Sequence, residues 1–600
     1  MDSKPSRKAL NEWSRTLQCM QQLDLSGHTT ILSVIRDVAA VQGDKPALIG
    51  ETEQLGYRGL VDRSEAYGYW ATARGVDAGE VVCLLMPNCP DYVAIWLGLS
   101  GVGVAVALIN TGLVGAALAH CIRAAGSRRI IVEASLVARL EAITSQLPAG
   151  LRIWVHGESR SQDETEDGEG CLSRIDIGSA PAGALPRLRL PGRSDRALLI
   201  STSGTTGLPK SATITHARVL EWSTWFAGMM DVRQEDRLYD CLPLYHSIGG
   251  VVAIGSMLSR GGSVVIRARF SARGFWDDII ETGCTIFQYI GELCRYLTRA
   301  PKHPAETAHR LRLCCGNGLR GDVWQEFQDR FRIPRILEFY AATEGHVSLY
   351  NCEGKPGSIG RIPAFLAHRF PVELIRSDTD TGEPIRDAAG RCMRCVADEA
   401  GEAIGQISEN RSGPARGFDG YTNGQATDRK ILRDVFVEGD RWFRTGDLMR
   451  RDSAGYFYFI DRIGDTYRWK GENVSTMEVA AVIEACPGVT GAVVCGIALP
   501  RTDGRTGVAA VTIGKDFDFA ALRAHMFANL PDYAHPMFVR ICSAIATTGT
   551  FRPTKGPLVQ AGLTLSPEVG ALWFNDRSEG RFIACDDRLL SRIEDGALPL

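Results

Sequence analysis

Between residue 31 and about residue 192 the hydrophobic pattern alternates between two periods. Apolar positions recur at helical spacing over 31–40, whereas 80–86 and 130–132 are short β-branched or leucine-rich runs bounded by polar residues. Such alternation predicts a layered α/β domain with parallel strands. The stretch 92–109 is apolar for about the length of a membrane span. Three glycines interrupt it, and only its second half is β-branched. The pattern therefore predicts a buried helix over 91–99, a glycine-rich turn, and a strand over 104–109.

Further along, an apolar run at 197–200 feeds a loop of hydroxyls and glycines, and β-branched residues resume at 212–215. A helix is expected over 217–229, and strands at 311–319 and 336–345 each run into a polar turn. From 391 onward the segments are short and glycine-punctuated (401–407, 417–424, 442–447, 455–461), which reads as hairpins or a small barrel. A smaller α/β unit follows, with helices over 476–485 and 519–529 and strands over 489–497 and 509–513. The acidic run 159–170 reads as an exposed loop. The expected organisation is an α/β chain with an N-terminal extension (1–30), a large domain of layered α/β subdomains with a small β-barrel-like part (31–461), and a small mobile C-terminal α+β domain (462–600).

Composition adds limits. Six hundred residues exceed one ordinary core, and 45% hydrophobic residues leave ample material for buried sheets. Lys plus Arg at 67 against Asp plus Glu at 70 gives a net charge of −3, so no global field favours nucleic acid and anion binding must be local. Seventeen cysteines include one Cys-x-x-Cys, Cys392 and Cys395, without a second pair to complete a zinc site. Reduced cysteines in a cytosolic protein fit that pattern. Residues 1–15 are polar and lack the apolar core of a secretory signal.

The loop within residues 198–216 has the composition of a phosphate cradle. Gly204 and Gly207 let N–H groups turn toward an anion, the hydroxyls of Ser203, Thr205 and Thr206 can donate, and Lys210 adds a charge. A Walker loop would need glycine at 209. Pro209 stands there, fixing φ and removing an N–H donor, so a P-loop kinase or GTPase is disfavoured. His246 follows a proline between a strand and a glycine-rich helix start, which suits either a titratable group in a cleft or a structural histidine. Gly249, Gly250 and Gly255 fit both a closely packed helix and room for an apolar ligand. Tyr340, Thr343 and Glu344 arrive together at a strand end, where they could stack a base, touch a phosphate and hold Mg²⁺, or simply end a core strand. Gly464 and Gly471 bracket charged residues in a manner suited to a hinge.

Taken together, Thr202-Ser-Gly-Thr-Thr-Gly-Leu-Pro-Lys210, Tyr340-Ala-Ala-Thr-Glu344, Arg444-Thr-Gly-Asp447 and the segment 464–475 resemble the adenylate-forming superfamily. Asp240-Cys-Leu-Pro-Leu-Tyr-His246, the segment 288–296 and Gly316-Asn-Gly-Leu-Arg320 are similar to its fatty acid transport protein and very-long-chain acyl-CoA synthetase branch. The resemblance implies an acid–thiol ligase. A lipid acid attacks the α-phosphate of MgATP to give an acyl adenylate and diphosphate, and the thiol of coenzyme A then displaces AMP. It assigns Ser203, Gly204, Thr205, Thr206, Gly207 and Lys210 to the β- and γ-phosphates, and Tyr340 with Gly316, Asn317 and Gly318 to adenine. Thr343 is assigned to the AMP phosphate, Glu344 to Mg²⁺, Asp447 and Arg462 to ribose, and His246 to the acyl carboxylate. Gly464-Asp465 falls where the family's small domain pivots.

One departure stands out. The family's Thr-Gly-Thr-Phe-Lys is Thr548-Gly-Thr-Phe-Arg552 here, and a planar, longer cation is not equivalent at a tight transition state. Lys555, three residues on, is a candidate substitute. The expected substrate is a long-chain or very-long-chain fatty acid, with uptake coupled to activation as one variant of that reading. A steroid- or bile-acid-type ligase and a nucleotide-binding lipid-uptake protein with weakened ligase activity stay open as alternatives. A cytoplasmic location is expected; peripheral membrane contact and a homodimer are left open.

Overall fold

A computed structural model describes residues 6–157, 172–177, 190–202, 210–341, 347–378, 381–407, 424–469, 472–499, 504–549 and 553–595. The chain divides into two compact units, residues 1–371 with 406–431, and 372–405 with 432–600. Residues 372–461, expected with the large domain, thus pack mostly with the C-terminal part.

The first unit contains two large sheets. In one, strands run in the order Leu172–Arg174, Arg152–His156, Arg129–Glu133, Val81–Leu85, Ala105–Leu108, Arg196–Thr202 and Lys210–Thr215. Its pairs are parallel up to the last, which is an antiparallel hairpin. The central strands Val81–Leu85 and Ala105–Leu108 read as continuous apolar runs because both faces of the sheet are buried. The second sheet runs Ser348–Tyr350, Ile336–Ala341, Leu313–Asn317, Ile286–Ile290, Arg237–Asp240, Ser263–Ile266, Pro46–Ile49 and Gln54–Gly56.

The stretch that resembled a membrane span folds as expected. Helix Pro90–Gly101 is apolar on every face and buried along nearly its whole length, so it is a core helix, and strand Ala105–Leu108 follows after a turn at Gly103. Pro90 at the first helical position and Asp91 in the first turn favour its start. No helix among the described residues is long and apolar enough to cross a membrane.

The N-terminal extension corrects the sequence reading, which found little to classify there. Residues Arg7–Ser26 form a helix, capped by Ser6 accepting from the Ala9 N–H and closed by Gly27 at φ +73°. Its buried stripe, Ala9, Glu12, Trp13, Thr16, Met20 and Leu23, lies against helix His216–Met230. Trp13 meets Trp225, Tyr350 and Phe370 edge-on, with ring centroids 5.8–6.0 Å apart. Gly228 leaves room for Thr16, whose Cα would lie 2.7 Å from a Cβ at that position.

In the second unit the glycine-punctuated region forms a five-stranded sheet built on Val372–Ile375, Ala400–Gln406, Arg441–Arg451, Ile431–Arg433 and Phe457–Arg462. The C-terminal sheet has the order Val489–Ala498, Arg505–Ile513, Phe538–Ile541, Ala571–Asp576 and Arg581–Ala584. Helices Thr476–Ala485 and Phe519–Asn529 form as expected. The last three of these strands had no sequence expectation. Every described cysteine is a free thiol.

Candidate functional site

Parallel strands of an open sheet present their carboxyl ends on one edge, where ligands bind. In the eight-stranded sheet that edge carries several of the expected residues. Gly316 and Asn317 end strand Leu313–Asn317, Gly318 follows it, and Tyr340 lies near the end of the adjacent strand. Gly318 sits at φ +79°, a conformation that favours glycine. A Cβ on Gly316 would lie 2.1 Å from the Tyr289 carbonyl, so only glycine lets the two strands approach there. Tyr340 is half-buried, and the Asn317 Oδ1 is buried without a hydrogen-bond partner among the described residues.

Beneath this turn lies a brace that the sequence reading missed. Glu338 is buried, its Oε1 accepts from the Leu319 N–H at 3.1 Å, and its Oε2 meets the Tyr289 hydroxyl at 2.5 Å. Burial pushes the Glu338 carboxyl up to about 8, against hydrogen bonds from Tyr289 and the turn backbone that pull it down. At neutral pH it is therefore chiefly a protonated acid holding the Gly-Asn-Gly turn. Its only sequence signal was an acidic residue within an otherwise apolar strand.

His246 follows strand Arg237–Asp240, its N–H donating to the Pro243 carbonyl at 3.1 Å and its carbonyl accepting from Gly250 at 2.8 Å. Its Nε2 is buried without a partner among the described residues, and burial pulls the ring down to about 4, so it is neutral near pH 7. The segment before it is held by Asn88, which arrives from the loop after strand Val81–Leu85 of the other sheet. Asn88 Nδ2 donates to the carbonyls of Leu242 (2.8 Å) and Arg267 (3.0 Å), and its Oδ1 accepts from the Leu244 N–H (2.9 Å). One amide thus satisfies three backbone groups, an arrangement no local pattern reveals. After His246 the chain winds as a π-helix over Ile248–Ala253 and then an α-helix over Ile254–Leu258. π-turns are rare and gather at functional sites. The glycines here serve close packing: a Cβ on Gly250 would lie 1.9 Å from the Leu244 carbonyl, and one on Gly255 1.9 Å from Ser223 Oγ.

The second unit brings other expected residues together. Asp447 and Arg462 face each other across antiparallel strands, with Oδ1 and Nε 3.3 Å apart. Arg444, in the same motif, is instead structural: its guanidinium binds the fully buried Glu402 at 2.8–3.1 Å, and Glu402 also accepts from the Gly446 N–H. Lys555 Nζ lies 3.4 Å from Asp465 and 3.7 Å from Asp461 and donates to the Thr476 hydroxyl. Asp461 braces the first turn of helix Thr476–Ala485, whose cap is Ser475, accepting from the Thr476 N–H at 2.9 Å and its hydroxyl at 2.6 Å.

Ser203, Gly204, Thr205, Thr206 and Gly207 lie outside the described residues, as do Thr343, Glu344 and Arg552. The ends of that phosphate-loop segment are placed: Thr202 and Lys210 are paired backbone positions of the Arg196–Thr202 and Lys210–Thr215 hairpin.

Similarity to known proteins agrees with this geometry. The AMP-binding enzyme family model matches residues 35–390, and the AMP-binding enzyme C-terminal domain model matches 478–552. Long-chain fatty acid transport protein 1 of Mus musculus is 38% identical over 576 residues, covering 95% of this chain and 88% of that protein. Medium/long-chain-fatty-acid–CoA ligase FadD6 of Mycobacterium tuberculosis is 38% identical over 529 residues, covering 88% and 85%. Among solved structures, the anthranilate CoA ligase AuaEII with anthranoyl-AMP superposes with a TM-score of 0.74 at 20% identity, covering 89% of this chain and 97% of that one. The Mycobacterium tuberculosis fatty acyl CoA synthetase superposes at 0.61 with 23% identity, covering 89% and 98%. The structural likenesses establish the fold, and with the sequence matches they place this chain among the AMP-binding, adenylate-forming enzymes, in the branch of the long-chain fatty acid transport proteins.

Proposed function

We propose that the protein is an ATP-dependent fatty acid–CoA ligase acting on long-chain or very-long-chain acids. The carboxylate oxygen attacks the α-phosphorus of ATP and diphosphate leaves; the CoA sulfur then attacks the acyl carbon, AMP leaves with the bonding pair, and the thiol proton passes to solvent. Both steps depend on positioning and charge stabilisation. The observation that carries the reading is the strand-end edge of Gly316, Asn317, Gly318 and Tyr340, braced by Glu338, in a chain of this family.

In this reading the turn and Tyr340 hold adenine, Asp447 and Arg462 hold ribose, and neutral His246 lies beside the acyl carboxylate, where its unpartnered Nε2 can take part in a hydrogen bond. Ser203 to Gly207 and Lys210 receive the outer phosphates, Thr343 the α-phosphate, and Glu344 offers Mg²⁺ a hard oxygen donor. Mg²⁺ would supply charge neutralisation on the phosphates. Lys555 is tied to Asp461 and Asp465, which favours Arg552 over it as the adenylation cation. Gly464-Asp465 is the proposed pivot.

Incubation with ATP, CoA and a panel of acids tests this, the expected result being AMP, diphosphate and thioester in equal amounts. Fatty acid binding without AMP would instead favour a lipid-uptake protein. Arg552→Lys is expected to speed acid-dependent diphosphate release by roughly 10-fold, the scale on which a displaced transition-state charge acts. An unchanged or slower rate would remove the idea that arginine at this position slows adenylation.

A further inference from the structure

Across the inner face of the eight-stranded sheet one row of in-register residues reads Ile266, Asp240, Gln288, Cys315 and Leu337. All are buried, Asp240 and Gln288 completely. The opposite face is already filled: Tyr239 and Phe287 pack against Phe275 of helix Phe275–Thr282, and the Tyr239 hydroxyl bonds Asp278. Asp240 and Gln288 therefore project to the other side, where the core holds Val251, Val252 and Ala253 of the π-helix.

Three polar atoms of this pair have no partner among the described residues: Asp240 Oδ2, Gln288 Oε1 and Gln288 Nε2. Asp240 Oδ1 does have a described partner, accepting from the Leu242 N–H at 3.0 Å. Leaving such groups buried and unsatisfied is costly, so a pair of them needs a reason. Burial raises the Asp240 carboxyl well above its usual range, which makes it a neutral acid able to donate. Its neighbours in the row, Ile266 and Cys315, bring no cation, so a second carboxylate would be poorly matched there. A neutral donor acid beside an amide suits a neutral oxygen, either hydroxyl or oxo. The pair lies two residues before Ile290 and Asn317 on neighbouring strands, hence about 6–7 Å below the edge that carries the nucleotide turn.

We propose that Asp240 and Gln288 form a polar subsite for an uncharged oxygen on the lipid acid, remote from its carboxyl group, so that the preferred substrates are hydroxylated or oxo acids. This rests on the ligase reading above. A site built to hydrogen-bond a substrate oxygen discriminates far more strongly against its absence than an apolar wall does against its presence.

The test compares kcat/KM for a parent C18 acid with isomers carrying one hydroxyl or oxo group at successive positions, and for a ring-fused acid with and without its hydroxyls. At least one oxygenated acid should exceed its parent by roughly 10-fold or more. Gln288→Leu should collapse that ratio toward one, whereas Asp240→Asn, which keeps an acceptor for Leu242 and a donor, should retain most of it. Gln288→Leu removes two unsatisfied atoms and should melt no lower than the parent protein. A parent acid equal to or better than every oxygenated isomer would overturn the proposal, as would an equal loss on both acids in Gln288→Leu. A lowered melting temperature with no change in the ratio would mark the pair as water-binding only. Absence of thioester with every acid would instead sink the ligase reading, and this proposal with it.

Discussion

Glu338 keeps its proton because its strand buries it where only Tyr289 and the turn backbone can answer its charge. The consequence is a pH dependence with a definite sign. The unfolded chain releases this proton near 4.5, the folded chain near 8. Between those values the unfolded state binds fewer protons, so this group's contribution to stability falls as pH rises. Glu338→Gln, neutral at all these pH values, should flatten the decline in melting temperature between about pH 5 and 8. A variant declining as steeply as the parent would show that another group titrates. His246 acts in the opposite sense: with its pKa lowered to about 4 from 6.5, stability rises with pH across that interval. At this scale the sequence was half legible. Tyr340 and the Gly-Asn-Gly turn could be read because strand ends carry their own signature. Asn88 and Glu338 could not, since the groups they satisfy come from distant segments.

Among the elements, the parallel strands were readable because burial on both faces writes a plain apolar run, as in Val81–Leu85 and Ala105–Leu108. Helix Arg7–Ser26 was hidden by the polar residues between its buried positions. Its weight in the fold is nonetheless measurable. Trp13 is 2% exposed and touches three aromatic rings from two later segments and a helix. Trp13→Ala should destabilise the first unit by about 3–5 kcal/mol, read as a lower urea midpoint with an unchanged slope. A shift below 1 kcal/mol would mean that the helix merely decorates the surface. The C-terminal strands Ala571–Asp576 and Arg581–Ala584 escaped the sequence reading because their flanks are rich in charge, which masks a short alternation.

For the whole molecule, the division into units assigns the five-stranded sheet to the C-terminal part, whereas the glycine pattern pointed to a pivot inside that part. These are reconciled if the pivot is held shut within its own unit. Lys555 joins residues from both sides of Gly464, pairing with Asp461 and Asp465 and bonding Thr476. Lys555→Met should leave Asp461 buried at a helix start with its cation gone and loosen the segment 462–475. Limited proteolysis there should quicken by roughly 10-fold, the change that about 1.4 kcal/mol produces. Cleavage at the parental rate would release Lys555 from this role.

The π-helix after His246 has a consequence of phase. A π-turn holds one residue more than an α-helical path would need, and a single residue corresponds to about 100° of rotation. That surplus sets the azimuth of helix Ile254–Leu258, which turns Gly255 toward Ser223 Oγ. Chain length between His246 and Gly255 is thus a quantity the fold counts: dropping one residue would turn a side chain into a space that has no room for a methyl group.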